Sequence, residues 1–397
     1  MNGLTPRRLR QFICRQLRLG SYLRSPGDGR VKPQIPAWTL LWGLLMGQFL
    51  REPSFYAVEA LVGSGARRRL GIRRSFGNDA LAYFTERLDP VPTRTGLISV
   101  LKQAKRNKAF ENSRFVGLAL DGTKAGSTSQ CGCPLCREVR GADRGLQGYR
   151  HELSLISVVG VGLSLPFDVE PRPPGEGELT TSMRLLERAA GSLGPRFADY
   201  VVADSLYAYA PFLNRASTLG LRAVVRLKVN LPNLFAAAQA RFEGQPPDRV
   251  YQEGKDRVEL WDADDFDPWE NLGWETVRVV RYRQHKLGGT IVEAYWLTDW
   301  PTSQVGGLAI FRMAKSRWEV ENQGFNDAKN RHDLEHIAHH HPNSLLVVWL
   351  LTLLALVVER LFRLRHCHRG AHPVMSPIEW LRRLRLSLAP PRLADSG

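Results

Sequence analysis

Arg317-Trp318-Glu319-Val320-Glu321-Asn322-Gln323-Gly324-Phe325-Asn326-Asp327-Ala328-Lys329 is the stretch around which the rest of the chain organises. Its residues favour a helix, and Arg317 and Glu321, four positions apart, share one helical face. Glu319 lies two positions from Glu321 and so points to another face. Upstream, Asp121 follows the apolar run Phe115-Val116-Gly117-Leu118-Ala119-Leu120, and Asp204 follows Tyr200-Val201-Val202-Ala203. Each of these acids is expected where a buried strand ends. Three carboxylates, two at strand ends and one on a late helix, form an oxygen-donor set suited to divalent metals and phosphodiester chemistry.

Arg317, Trp318, Val320, Glu321, Asn322, Phe325 and Asn326 fit the pattern R-W-x-[IV]-E-N-x-x-F-N. Asp204-Ser205-Leu206-Tyr207 fits D-x-x-Y, and Asp121-Gly122-Thr123 fits the surroundings of a first acid. On these residues the chain resembles the DDE transposases of bacterial insertion sequences, in the subgroup with a Y-R-E-K signature and an RNase H-like catalytic core. The resemblance spans roughly residues 110 to 365. It implies Asp121, Asp204 and Glu321 as catalytic acids and ligands of Mg²⁺ or Mn²⁺. Arg317 and Lys329 would then reach the same site or a bound phosphate. The implied partners are double-stranded DNA, both terminal inverted repeats and target, and a second copy when assembled on DNA. Two positions depart from the signature: its tyrosine would stand at Ala314, and Lys329 follows the glutamate by eight residues instead of seven. Two other classes share parts of this pattern: a transposase-derived DNA-binding protein without activity, and a metal-dependent nuclease without strand transfer.

The formal charge of +16 and a pI near 10.0 point to a polyanionic partner. Arg7, Arg8, Arg10, Arg15, Arg18, Arg24, Arg30 and Lys32 stand against Asp28 alone in the first 36 residues. Arg67, Arg68, Arg69, Arg73 and Arg74 form a second run, expected to contact DNA phosphates, and Arg360, Arg363, Arg365 and Arg369 a third. A solvated face is the plain alternative for any one run. The basic beginning is not followed by an apolar stretch with a cleavage site. The longest apolar run, Leu345 to Val358, falls short of the roughly 20 residues of a membrane span and reads as a core helix. These features place the chain in the cytoplasm, on the nucleoid, with no membrane.

Hydrophobic content of 43% supports packed cores throughout. The expected fold is α/β: an RNase H-like catalytic core with a mainly β insertion, preceded by an α-helical N-terminal region. Residues 1–110 read as helical, basic and DNA-binding, 111–228 as the first part of the core, and 229–301 as the β-rich insertion. Residues 302–370 read as the catalytic helix and C-terminal helices of the core, and 371–397 as a tail. Trp261, Trp269, Trp274, Trp296 and Trp300 crowd the insertion. Core packing is their expected role, with base stacking as the alternative.

Cys131-Gly132-Cys133-Pro134-Leu135-Cys136 is a tight cluster, and His151 follows it. Cys131, Cys133, Cys136 and His151 would satisfy a four-coordinate structural zinc site, and reduced cysteines in a loop are the alternative. His332, His336 and His340 stand at helical spacing, with His339 and His341 beside them. Contact with DNA or solvent is their expected role, with metal binding as the alternative.

Overall fold

A computed structural model describes residues 4–367 and 375–389. Among the described residues seven α-helices come first, with a π-helical turn at Phe12–Gln16 after the first: α1 (Pro6–Gln11), α2 (Gly20–Arg24), α3 (Ala37–Leu50), α4 (Phe55–Gly63), α5 (Arg67–Leu70), α6 (Asn78–Arg87) and α7 (Pro90–Arg106). The strands are β1 (Gly117–Thr128), β2 (Arg137–Arg140), β3 (Leu146–Val159), β4 (Leu165–Pro171), β5 (Tyr200–Ala203) and β6 (Arg222–Leu227), then β7 (Arg249–Glu253), β8 (Asp256–Phe266), β9 (Val277–His285) and β10 (Ile291–Thr298). Helices α8 (Glu178–Leu193), α9 (Ala210–Thr218) and α10 (Pro232–Phe242) separate strands, and α11 (Gly307–Glu319), α12 (Asn326–His332), α13 (Pro342–Cys367) and α14 (Pro377–Leu386) come after them.

All ten strands form one mixed sheet, ordered β2-β3-β1-β5-β6-β10-β9-β8-β7, with β4 paired to β3. β1, β3 and β4 pair antiparallel, while β1, β5 and β6 run parallel. The parallel strands are covered on both faces, so Leu118-Ala119-Leu120 and Tyr200-Val201-Val202-Ala203 are continuous buried runs. Residues 229–301 do not fold aside from this sheet. Their strands extend it, because β10 pairs antiparallel with β6 and β9, β8 and β7 follow in turn. Trp261, Trp274, Trp296 and Trp300 are buried there.

The long helix α13 is the spine of the molecule. It packs on β4 and on α3, α6 and α7, so the N-terminal helices share a core with the sheet instead of standing apart. α3 is buried on nearly every side, from Thr39 to Leu50, as its all-round apolar sequence requires. Buried polar contacts fix its alignment: Thr352 donates to Gln48 Oε1 at 2.9 Å, and Asn343 donates to the carbonyls of Thr85, Glu86 and Leu88. α13 extends well past the apolar run that the sequence marks, and it is long and apolar enough to cross a membrane. Its most apolar window is 94% buried inside the protein, the condition of a core helix.

The expected tail is also corrected. Residues 375–389 contain α14, opened by Ser376, whose side chain accepts from the Glu379 amide at 3.1 Å. Trp380 of α14 is fully buried against Phe49 of α3. Residues 371–374 and 390–397 lie outside the described residues. Trp380→Ala should cost about 3–5 kcal/mol, the range for emptying a large aromatic site. A drop in the denaturant midpoint by tryptophan-independent circular dichroism checks this, and an unchanged midpoint would show that the helix carries no core.

Candidate active site

Asp121 does not end its strand, as the sequence leads one to expect: β1 continues to Thr128 along β3. What ends is its parallel neighbour. β5 pairs with β1 only as far as Ala119↔Val202, and the same register sets Asp121 beside Asp204, just past the carboxyl end of β5. Open α/β sheets bind ligands outside the carboxyl ends of parallel strands. Asp204 caps a short 3₁₀ turn, Ser205–Tyr207, and accepts from the Leu206 amide at 2.8 Å.

Glu321 arrives from the other side. After Glu319 the backbone passes from α11 into a π-helical turn, Val320–Phe325, and Glu321 lies in it. Such turns re-aim side chains relative to a regular helix and recur at functional sites. Arg317 is buried between the acids: its Nη1 is 2.6 Å from Glu321 Oε1 and 3.9 Å from Asp121 Oδ2. It is thus a cation set against two carboxylates, on the face it was expected to share with Glu321. Lys329 is set on α12 beyond the π turn and pairs with Glu335 at 2.8 Å, not with the acids. The rest of the π turn lies between Glu321 and Lys329 and departs from the regular helical count of about 3.6 residues per turn.

A fourth carboxylate joins the three. Glu178, at the start of α8, accepts from Tyr207 Oη at 2.9 Å and from Arg172 at 3.1 Å. Its carboxylate packs directly against Gly122, so a side chain there would have to push Glu178 aside. Tyr207, the tyrosine of D-x-x-Y, is fully buried and links the Asp204 turn to Glu178. The sequence offers one faint sign of Glu178: an acid in the first turn of a helix after a proline–glycine connector.

Burial, then Glu178, raises the Asp121 carboxyl from its ordinary 3.8 to about 7, with Glu321 and Asp204 adding and Arg317 opposing. Glu319 points elsewhere. It accepts from the Gly160 amide at 3.0 Å, and burial pushes its carboxyl up.

Arg360, placed by the sequence in a phosphate-binding run, is buried. It donates to the carbonyls of Ser164 and Gln323 and pairs with Asp327 at 2.7 Å, holding the π turn from below. Arg363 pairs with Glu359 and donates to the Met375 carbonyl, Arg365 is exposed, and Arg369 lies outside the described residues. In the second run, Arg68, Arg73 and Arg74 are exposed on and after α5, and Arg67 and Arg69 are half-buried. A cleft of about 910 Å³ opens at the opposite end of β1 and β5, lined by Phe115, Tyr200, Arg249 and Arg312, away from the acids.

The cysteine and histidine expectations change as well. Donor atoms of Cys133, Cys136, His151 and His340 lie within 4.8 Å of one another, while Cys131 is exposed and turned to the Cys133 carbonyl. The helix expected to align the histidines stops at His332, where Asp333 turns left-handed (φ 50°). His332 is buried against Glu359, His339 meets Glu86, and His336 is exposed.

No family model matches the chain, and no curated protein matches it. Among solved structures, it is similar to a cryo-EM structure of a piggyBac transposase synaptic complex with hairpin DNA. That likeness has 10% identity and a TM-score of 0.47, and covers 98% of this chain and 80% of that one. Identity and superposition at this level define neither a family nor a mechanism for this chain.

The raised Asp121 carboxyl has a consequence for stability. The folded state binds its proton more tightly than the unfolded chain does. Stability of divalent-free protein therefore falls as pH rises from about 4 to about 7, by up to about 4 kcal/mol from this group. Urea unfolding across that range should show the decline, and Asp121→Asn should flatten it. An identical slope in the variant would assign the decline to other groups.

Proposed function

We propose that the chain is a DDE-type DNA transposase, cleaving and joining strands at the ends of an insertion sequence, with Asp121, Asp204 and Glu321 as its catalytic acids. The observation that carries this reading is the crowding at Asp121, where Glu178, Glu321 and Asp204 all act on one carboxyl and Arg317 alone opposes them. An excess of oxygen donors and negative charge fits Mg²⁺ or Mn²⁺, which take oxygen ligands and retain waters. When bound, such ions activate a water or 3′-hydroxyl and stabilise the leaving oxygen.

The chain's own residues supply the geometry. Asp121 is held by β1 and by the hydrogen bond from the Gly122 amide at 2.9 Å. Asp204 is held by its cap, and Glu321 by Arg317. Strand order β4-β3-β1-β5-β6 supports an RNase H-like core, since an antiparallel trio is followed by two parallel strands and then by the acid-bearing helix. The exposed arginines on and after α5 would meet DNA phosphates, which position a duplex without reading its sequence. A dimer assembled on DNA, on the nucleoid in the cytoplasm, belongs to the same reading.

The test incubates the full chain with duplexes carrying the element's ends and Mg²⁺. Cut ends and joined products are expected. Cut ends without joining would make it a nuclease, and binding without cutting an inactive relative. Asp121→Ala, Asp204→Ala and Glu321→Ala should each lower cleavage by about 1,000-fold or more, a loss of several kcal/mol, with DNA binding retained. Glu178→Gln should cost about 10–100-fold, the range for a group that orients a ligand. Glu319→Gln should stay within a few-fold of wild type. Robust cleavage by Glu321→Ala protein would remove the third acid from the assignment.

Duplex binding should weaken at least about tenfold between 50 and 200 mM salt, because displaced counterions dominate the energy. Titrations by fluorescence anisotropy check this. A flat salt response would rule out phosphate neutralisation as the main binding contribution.

A further inference from the structure

We infer that Cys133, Cys136, His151 and His340 form a structural zinc site that fastens the β1–β3 hairpin to the start of α13. Cys131, the cysteine that the sequence groups with them, is not a ligand.

The geometry comes from three separate parts of the fold. Cys133 and Cys136 sit in the C-x₂-C turn before β2, closed by the Cys136 amide donating to the Cys133 carbonyl at 3.1 Å. β2 pairs with β3 in the register Arg137↔Arg150, which sets Cys136 opposite His151. His340 comes from the segment just before α13. The two sulfurs are 3.9 Å apart, and His151 Nε2 is 3.2 and 3.5 Å from them. A tetrahedral zinc with ordinary bond lengths requires about 3.8 Å between sulfurs and about 3.6 Å from sulfur to nitrogen. The ring of His340 packs on Gly132, where a Cβ would approach within 2.5 Å of it.

Burial favours the same conclusion. Cys133, Cys136 and His151 are buried, and His340 Nδ1 is shielded from solvent with no hydrogen-bond partner. A soft sulfur pair with two imidazoles is a zinc donor set, unlike the all-oxygen set at Asp121. Two donors from one turn, one from a strand and one from a distant segment give a closed four-ligand shell with no open position, as structural sites have. The site is independent of the acids, so its failure would leave the proposed chemistry standing.

The decisive measurement uses the full-length wild-type chain, purified reduced and without chelator. Elemental analysis should find about one zinc per chain, and X-ray absorption should give two sulfurs near 2.3 Å and two nitrogens near 2.0–2.1 Å. A chain without zinc, or a shell of three sulfurs and one nitrogen, overturns the inference. Among variants, Cys131→Ser should keep its zinc, while His340→Ala and Cys136→Ser should lose at least nine-tenths of it. Loss of zinc from Cys131→Ser with retention in His340→Ala would reverse the ligand assignment. Circular dichroism of each variant separates loss of metal from loss of fold, and the wild-type spectrum decides even where a variant does not fold.

Discussion

The buried guanidinium of Arg317 is the contact on which the site depends. Four carboxylates converge where β1, the turn after β5, α8 and the π turn meet, and like charges at such a place repel strongly. Arg317 lies between two of them, nearly out of contact with water. Burying a cation there is costly alone and tolerable only because its partners are anionic and close. Its Nη1 faces both acids, close to Glu321 at 2.6 Å and farther from Asp121 at 3.9 Å. α11 packs on β1, β5 and β6, so the strands that carry the aspartates also fix the helix that carries their counter-ion.

A second buried arginine completes the frame. Arg360 of α13 grips the π turn through Gln323, the start of α12 through Asp327 and the β3–β4 turn through Ser164. Glu321 is therefore held from above by the helix that leads into its turn and from below by the spine helix. This use of arginine bears on how the net charge is distributed. Arg94 and Arg188 are spent on Asp168, Arg172 and Arg137 on Glu152, and Arg278 on Asp262. Such pairing neutralises only part of the basic charge, and the exposed Arg68, Arg73 and Arg74 carry some of the +16 surplus.

The parts of this arrangement legible in the sequence are those written locally. Asp121 and Asp204 each follow a run of residues that can only be buried strand, and Glu321 stands one helical turn after Arg317. Strand limits near Asp204 follow the apolar pattern closely, because β5 and β6 are covered on both faces. The features that escaped the sequence are non-local. Glu178 comes from α8 and packs its carboxylate against Gly122, a contact between positions far apart in the chain. Lys329 misses the acids because a π turn, which no propensity announces, rotates α12 relative to α11. The third arginine run looks solvated by composition, yet α13 is covered by α3, α6 and α7. β7 and α10 lack a period clear enough to stand out from the turn-rich sequence around them, and the four-strand extension of the sheet depends on pairing partners far apart in the chain.

The cysteine cluster shows the same limit in its sharpest form, since sequence spacing favoured Cys131 and spatial proximity selects His340. The difference changes what the metal does. A site built from Cys131, Cys133, Cys136 and His151 would close only the hairpin on itself. With His340 as the fourth ligand, the proposed zinc would join β3, the antiparallel neighbour of the strand that carries Asp121, to the segment entering α13, the helix whose Arg360 steadies the turn of Glu321. It would also link elements that support the first and third acids, which a hairpin clip could not do. The cost of assembling like charges at the site is thus met first by the buried arginines beside it, and the proposed metal would only stiffen the elements around them.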